Sequence, residues 1–173
     1  MKKFNLLSLV LLFSFNLFAS VDIKVNDPAK PFKLSNQEGK EFDLTSRKGS
    51  WTVLYFFPKA ETPGCTKQAC AFRDNIKKIR KMNADVYGIS TNSVKEQAEF
   101  AKNHQLNFIL LADENAEVAK SYGTKMPLVN YTKRWTYIID PNLIIRDISR
   151  DVDPILDAAR VAKRIEELQK IKK

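Results

Sequence analysis

Cys65 and Cys70, the only two cysteines in 173 residues, lie in the run Tyr55-Phe56-Phe57-Pro58-Lys59-Ala60-Glu61-Thr62-Pro63-Gly64-Cys65-Thr66-Lys67-Gln68-Ala69-Cys70. An apolar, aromatic stretch ends at Pro58, a Thr-Pro-Gly turn follows, and Cys65 opens a stretch with helical spacing. The unpaired amides and positive dipole end of a helix start stabilise an anion. The thiolate is the reactive form of cysteine, so this position suits a nucleophilic sulfur. Cys65 is therefore the candidate working atom of the protein.

The second cysteine follows five residues later, a spacing that fits neither a redox Cys-x-x-Cys nor a zinc-ligand pair. On a continuous helix the two residues point about 140° apart, with Cα atoms roughly 8.6 Å apart. A disulfide needs Cα atoms within about 7 Å, so joining Cys65 to Cys70 would require the helix to unwind locally. The pair is a candidate switch. The alternative is a structural staple, against which stand the short loop it would close and the strain of a bridge across a helix start. With His104 as the sole histidine, a structural zinc site lacks ligands. His104 lies on a polar helical stretch between Asn103 and Gln105 and reads as solvent-facing rather than as a base. Trp51 and Trp135 each begin an apolar run and read as core.

The elements that must position Cys65 follow from periodicity. Phe32-Lys33-Leu34 and Glu41-Phe42-Asp43-Leu44 flank Asn36-Gln37-Glu38-Gly39 and read as an N-terminal β-hairpin. Trp51 to Phe57 is almost wholly apolar and suits a central strand buried on both faces. The pattern predicts a helix from Cys65 to about Met82, with Ala69, Phe72, Ile76 and Ile79 on one stripe. Strands at Asp85 to Ile89 and Phe108 to Leu111, a helix after Ser93 holding Phe100, and a short helix at Ala116 to Tyr122 come next. A loop through Met126-Pro127 follows. Asp140-Pro141-Asn142 turns Trp135 to Ile139 back on Leu143 to Ile148 as an antiparallel pair. Asp153-Pro154 starts the last helix, the acid as cap and the proline at the first position. Strands alternating with helices, closed by a hairpin and a helix, describe a three-layer α/β domain around a mixed sheet.

Composition places limits on the rest. The chain is 44% hydrophobic and 28% charged, which is globular rather than disordered. Residues 1–20 differ: Met1-Lys2-Lys3 is basic, Leu6 to Phe18 is almost wholly apolar, and Ala19-Ser20 are small. They read as a cleaved export signal, leaving 21–173 as one domain in a periplasm or outside the cell, with an uncleaved N-terminal anchor as the alternative. The apolar run falls short of the roughly 20 residues that span a bilayer. The formal charge of +9 would drop to +7 on cleavage, since residues 1–20 carry two lysines and no acid. Basic runs at Lys77-Lys78, Arg80-Lys81 and Lys170 to Lys173 read as solvated faces, and no nucleic-acid motif accompanies them.

With these residues set out, Pro58-x-x-x-Thr62-x-x-Cys65 resembles the active-site pattern of the peroxiredoxins. The longer run Phe57-Pro58-Lys59-x-x-Thr62-Pro63-Gly64-Cys65-Thr66-x-Gln68-Ala69-Cys70-x-x-Arg73-Asp74 resembles the peroxiredoxin Q, or bacterioferritin comigratory protein, branch. Tyr87-Gly88-Ile89-Ser90 and Arg134-Trp135-Thr136-Tyr137-Ile138-Ile139-Asp140 extend the likeness over nearly all of 21–173, with 122–133 less typical. The resemblance implies a thioredoxin-like fold and thiol-dependent reduction of hydrogen peroxide and organic hydroperoxides, with no cofactor. By the same resemblance Cys65 is the peroxidatic cysteine, whose thiolate attacks a peroxide oxygen and becomes a sulfenic acid. Arg134 would stabilise the sulfur and bond the peroxide, Thr62 would accept from one peroxide oxygen, and Pro58 would shield the site. The amides of Gly64 and Cys65 would complete the donors. Cys70 would be the resolving cysteine, forming an intramolecular disulfide that a thioredoxin-like dithiol partner reduces. Such a pairing permits a monomer or a weak dimer, with no stable membrane association after cleavage.

Two other classes compete. A thioredoxin-type oxidoreductase needs Cys-x-x-Cys and a proline before the late strand, where Arg134 stands here. A copper-delivery module needs Cys-x-x-x-Cys and a well-placed histidine, and the cysteine spacing here is longer.

Overall fold

A computed structural model describes residues 22–171. The stretch read as an export signal, 1–20, lies outside them. The described residues form one seven-stranded mixed sheet of order β2-β1-β5-β4-β3-β6-β7. Within it β3 (Trp51–Phe56), the almost wholly apolar run, lies beside the middle strand and is buried along its whole length. Alternation sends its side chains to opposite faces. Trp51, Val53 and Tyr55 enter one core, Leu54 and Phe56 the other. It pairs in parallel with β4 (Ala84–Ser90) and antiparallel with β6 (Trp135–Ile139). β4 carries β5 (Ile109–Ala112) in parallel. The hairpin β1 (Lys33–Asn36) and β2 (Glu41–Asp43) joins the far side of β5, Ser35 opposite Ala112. β7 (Ile145–Ser149) closes the other edge against β6.

Helices cover both faces. α1 (Pro63–Arg80) and α4 (Asp157–Ile171) pack together over one, through Ala69, Phe72, Ile76 and Ile79 of α1 and Ala158, Val161, Ala162 and Ile165 of α4. α2 (Val94–Asn103) adds Phe100 to the same core. α3 (Glu117–Ser121) lies on the opposite face, where Val118 joins Phe42, Phe56, Tyr122 and Tyr137. α2 starts where Ser93 and Glu96 cap one another reciprocally. The β6–β7 turn is held by Asp140, whose Oδ1 accepts from the amides of Asn142 and Ile144.

Two helix starts differ from the sequence expectation. α1 begins at Pro63 rather than Cys65, with Thr62 as the extended cap residue, because proline has a suitable φ and no amide to leave unpaired. Cys65 is thus the third residue of the first turn. The last helix begins at Asp157 rather than at Asp153-Pro154. Asp153 still caps, its Oδ1 accepting from the amides of Ile155 and Leu156, but residues 154–156 form a separate turn.

One close approach fixes a glycine. Gly88 lies opposite Tyr55 in the β3–β4 register, and a Cβ there would sit 2.6 Å from the Tyr55 hydroxyl and 2.7 Å from Leu110 Cδ2. The missing side chain makes room for the Tyr55 ring, which stacks on Phe72 of α1 at 4.7 Å. That stack holds α1 against the strand that leads into its own start.

Candidate active site

Cys65 is 1% exposed, at the point where β3 delivers the chain to the first turn of α1. The first backbone bond of that turn runs from the Thr66 amide to the Thr62 carbonyl. Amides earlier in the turn have no acceptor within the helix and lie at its positive end. Gly64 and Cys65 supply them, as Pro63 has none.

Arg134, half-buried immediately before β6, places Nη2 3.3 Å from Cys65 Sγ. A Cβ on Gly64 would stand 3.2 Å from that same Nη2, so glycine leaves room for the guanidinium beside the turn. Two cations, Lys133 Nζ and Arg150 Cζ, lie over the ring of neighbouring Trp135 at 4.7 and 4.9 Å. Trp135 is therefore only partly core, unlike the fully packed Trp51, because its ring also serves these cations.

The sequence reading missed what holds Arg134. Its Nη1 donates to Gln68 Oε1 at 2.6 Å, and Gln68 Nε2 donates to Asp157 Oδ2 at 2.8 Å. The Thr136 hydroxyl donates to the same Asp157 oxygen at 2.7 Å, and Arg160 pairs with the other at 3.2 Å. Gln68 is fully buried and Asp157 2% exposed. The signal was present in the helical periodicity: each is a polar residue on an otherwise apolar buried stripe, Gln68 one turn after Cys65. Such a residue needs partners inside the fold. Asp157→Ala leaves Gln68 and Thr136 donors unpaired in the core and is expected to cost about 3 kcal/mol in urea unfolding. It should also slow peroxide reduction about tenfold by loosening Arg134. An unfolding free energy within about 1 kcal/mol of the parent would mean that the chain of bonds contributes little.

Thr62 is half-buried and its hydroxyl donates to the Lys59 carbonyl at 3.0 Å. With its proton committed, the oxygen keeps lone pairs free to accept. Pro58 is half-buried where the chain leaves β3. The Tyr55 hydroxyl is buried without a hydrogen-bond partner among the described residues. Burial first, and the charge of nearby Cys65 next, push its phenol well above the ordinary range, so it stays neutral beside the sulfur.

Cys70, half-buried, lies on the same uninterrupted helix, and both cysteines are free thiols. The continuous α1 is the geometry in which the two cannot be bridged without unwinding. His104 does not face solvent alone, contrary to its reading from sequence. Its Nε2 is 2.8 Å from Glu61 Oε2, in the turn between β3 and α1, a contact across 43 residues that no local pattern encodes. The structure thus brings Cys65, Arg134, Thr62 and Gly64 together around one turn, with Pro58 at its base and Cys70 farther along the helix.

The chain is similar to known proteins in both sequence and fold. The model of the AhpC/TSA family matches residues 25–148. The chloroplastic peroxiredoxin Q of Sedum lineare is 43% identical over 132 residues, covering 76% of this chain and 70% of that protein. Peroxiredoxin Bcp of Escherichia coli is 44% identical over 101 residues, covering 58% of this chain and 65% of that one. This chain spans 61% of the Suaeda salsa peroxiredoxin Q. The crystal structure of peroxidoxin BcpB from Mycobacterium tuberculosis superposes with a TM-score of 0.80 at 33% identity, covering 84% of this chain and 98% of that chain.

Proposed function

We propose that this chain, which belongs to the AhpC/TSA family in its peroxiredoxin Q/Bcp branch and has a thioredoxin-like fold, is a thiol peroxidase with Cys65 as its peroxidatic residue and Cys70 as its resolving one. The observation that carries this reading is the Arg134 guanidinium 3.3 Å from a nearly buried sulfur in the first turn of a helix. Arg134 and the first-turn amides hold negative charge on Cys65 Sγ. The thiolate attacks one oxygen of hydrogen peroxide or an organic hydroperoxide, the O–O bond breaks, and water or alcohol leaves after taking a proton. Thr62 accepts a hydrogen bond from the peroxide, Arg134 donates one, and Pro58 limits access of water. Once α1 opens at its start, the Cys70 sulfur attacks the Cys65 sulfenic acid, the S–O bond breaks, and water departs as the disulfide forms.

A thioredoxin-type dithiol protein closes the cycle by exchange. Turnover tests this: with catalytic protein, peroxide loss should require such a dithiol and consume it one for one, whereas turnover on monothiols alone would contradict the assigned reductant. Sedimentation of the same preparation checks for a monomer or weak dimer. Residues 1–20 act in this proposal as an export signal, supported by their basic start, apolar run and small final residues. Protein recovered from the envelope fraction of its host should then begin near residue 21. Recovery of the intact N-terminus from cytosol would contradict export.

A further inference from the structure

The turn that leads into Cys65 contains a left-handed residue that is not glycine: Glu61 has φ +63°. Glutamate holds that conformation only where its surroundings impose it. Here both carboxylate oxygens are engaged from the end of α2. Oε2 meets His104 Nε2 at 2.8 Å, and Oε1 accepts from Asn103 Nδ2 at 2.9 Å. The hydrogen bond from His104 first, and that from Asn103, hold the Glu61 carboxyl below its usual range. The His104 ring stands edge-on to Phe100 at 5.1 Å, and Phe100 lies 5.9 Å from Phe57, which precedes Pro58. Arg73 Nη1 donates to the His104 carbonyl at 2.8 Å, and Arg73 is three residues beyond Cys70 on α1. Three segments therefore meet at His104: the turn before Cys65, the end of α2, and the part of α1 that carries Cys70.

We propose that His104 and Glu61 form a clasp that holds the turn before Cys65 in its strained shape, so that the clasp must release before Cys65 can reach Cys70. This rests on the assignment of those two cysteines as the peroxidatic and resolving pair. The clasp then sets the fate of the Cys65 sulfenic acid. In one branch the Cys70 sulfur displaces hydroxide from Cys65, which takes up the Cys70 proton and leaves as water. In the other, a second peroxide oxidises the still-folded sulfenic acid to sulfinic acid and is itself reduced to water. A tighter clasp favours the second branch. His104 touches neither the sulfur nor its substrate and is a positioning residue.

The test reads that partition. His104→Ala, the conservative His104→Gln and Asn103→Ala are each treated with increasing hydrogen peroxide under turnover, and Cys65 sulfinic acid is quantified by intact mass. The peroxide concentration giving half over-oxidation should rise about threefold to tenfold in His104→Ala, the effect of losing one charge-assisted bond at a partly exposed site. It should rise less in Asn103→Ala and stay near the parent in His104→Gln, while the rate of the first oxidation is unchanged in all three. An unshifted threshold in folded His104→Ala, or an equal shift in His104→Gln, overturns the clasp. If the parent forms no Cys65–Cys70 disulfide, the cysteine assignment itself fails and the clasp falls with it.

Discussion

Cys65→Ser is expected to remove peroxide reduction by at least about 10⁴-fold, because no other group at the site can donate an electron pair to peroxide oxygen with comparable ease. Serine keeps the size and the first-turn position, so the fold should survive. Cys70→Ser behaves differently. Its Cys65 should react with the first equivalent of peroxide at the parent rate, then stop as a sulfenic acid that a dimedone-type reagent captures. Equal loss of the first reaction in both variants, measured by stopped-flow, would contradict the division of labour between the two sulfurs.

Arg134→Met should lower the rate of the first oxidation by about 10²–10³-fold, the loss seen when one preorganised donor to developing charge is removed. Methionine keeps the length and the apolar stem but leaves Cys65 Sγ without the guanidinium 3.3 Å away. Arg134→Lys should recover only part of the loss, since an ammonium on a flexible stem cannot hold Gln68 Oε1 and the sulfur with the same fixed fork. Arg134→Met also leaves Gln68 Oε1 buried without its donor, at about 1–3 kcal/mol of stability. Rates measured well below the unfolding midpoint separate the two effects. A rate within about threefold of the parent would remove Arg134 from the mechanism.

Much of this site could be read along the chain because its signals are local. The almost wholly apolar Trp51 to Phe57 run marked a strand buried on both faces, and the Thr-Pro-Gly-Cys segment marked the turn it feeds. Ser93 and Asp140 announced a helix start and a hairpin that both form. What escaped is long-range. Gln68 meets Asp157 across 89 residues, and each looks unremarkable until its stripe of buried neighbours is considered. Glu61 adopts a left-handed backbone with no glycine to advertise it, and His104 acquires its partner only when α2 ends beside that turn. The start of the last helix was misplaced because Asp153 and Pro154 do cap a turn, but one that precedes the helix.

One helix-start sulfur, set beside Arg134, is expected to do the oxidation and pass it to Cys70. The direct measurement mixes the reduced protein, residues 21–173, with one equivalent of hydrogen peroxide, follows tryptophan fluorescence, and weighs the product. The expected result is oxidation orders of magnitude faster than that of free cysteine and a product lighter by two hydrogens that carries a Cys65–Cys70 bond. Oxidation no faster than free cysteine, or a bond joining two chains instead, would contradict it.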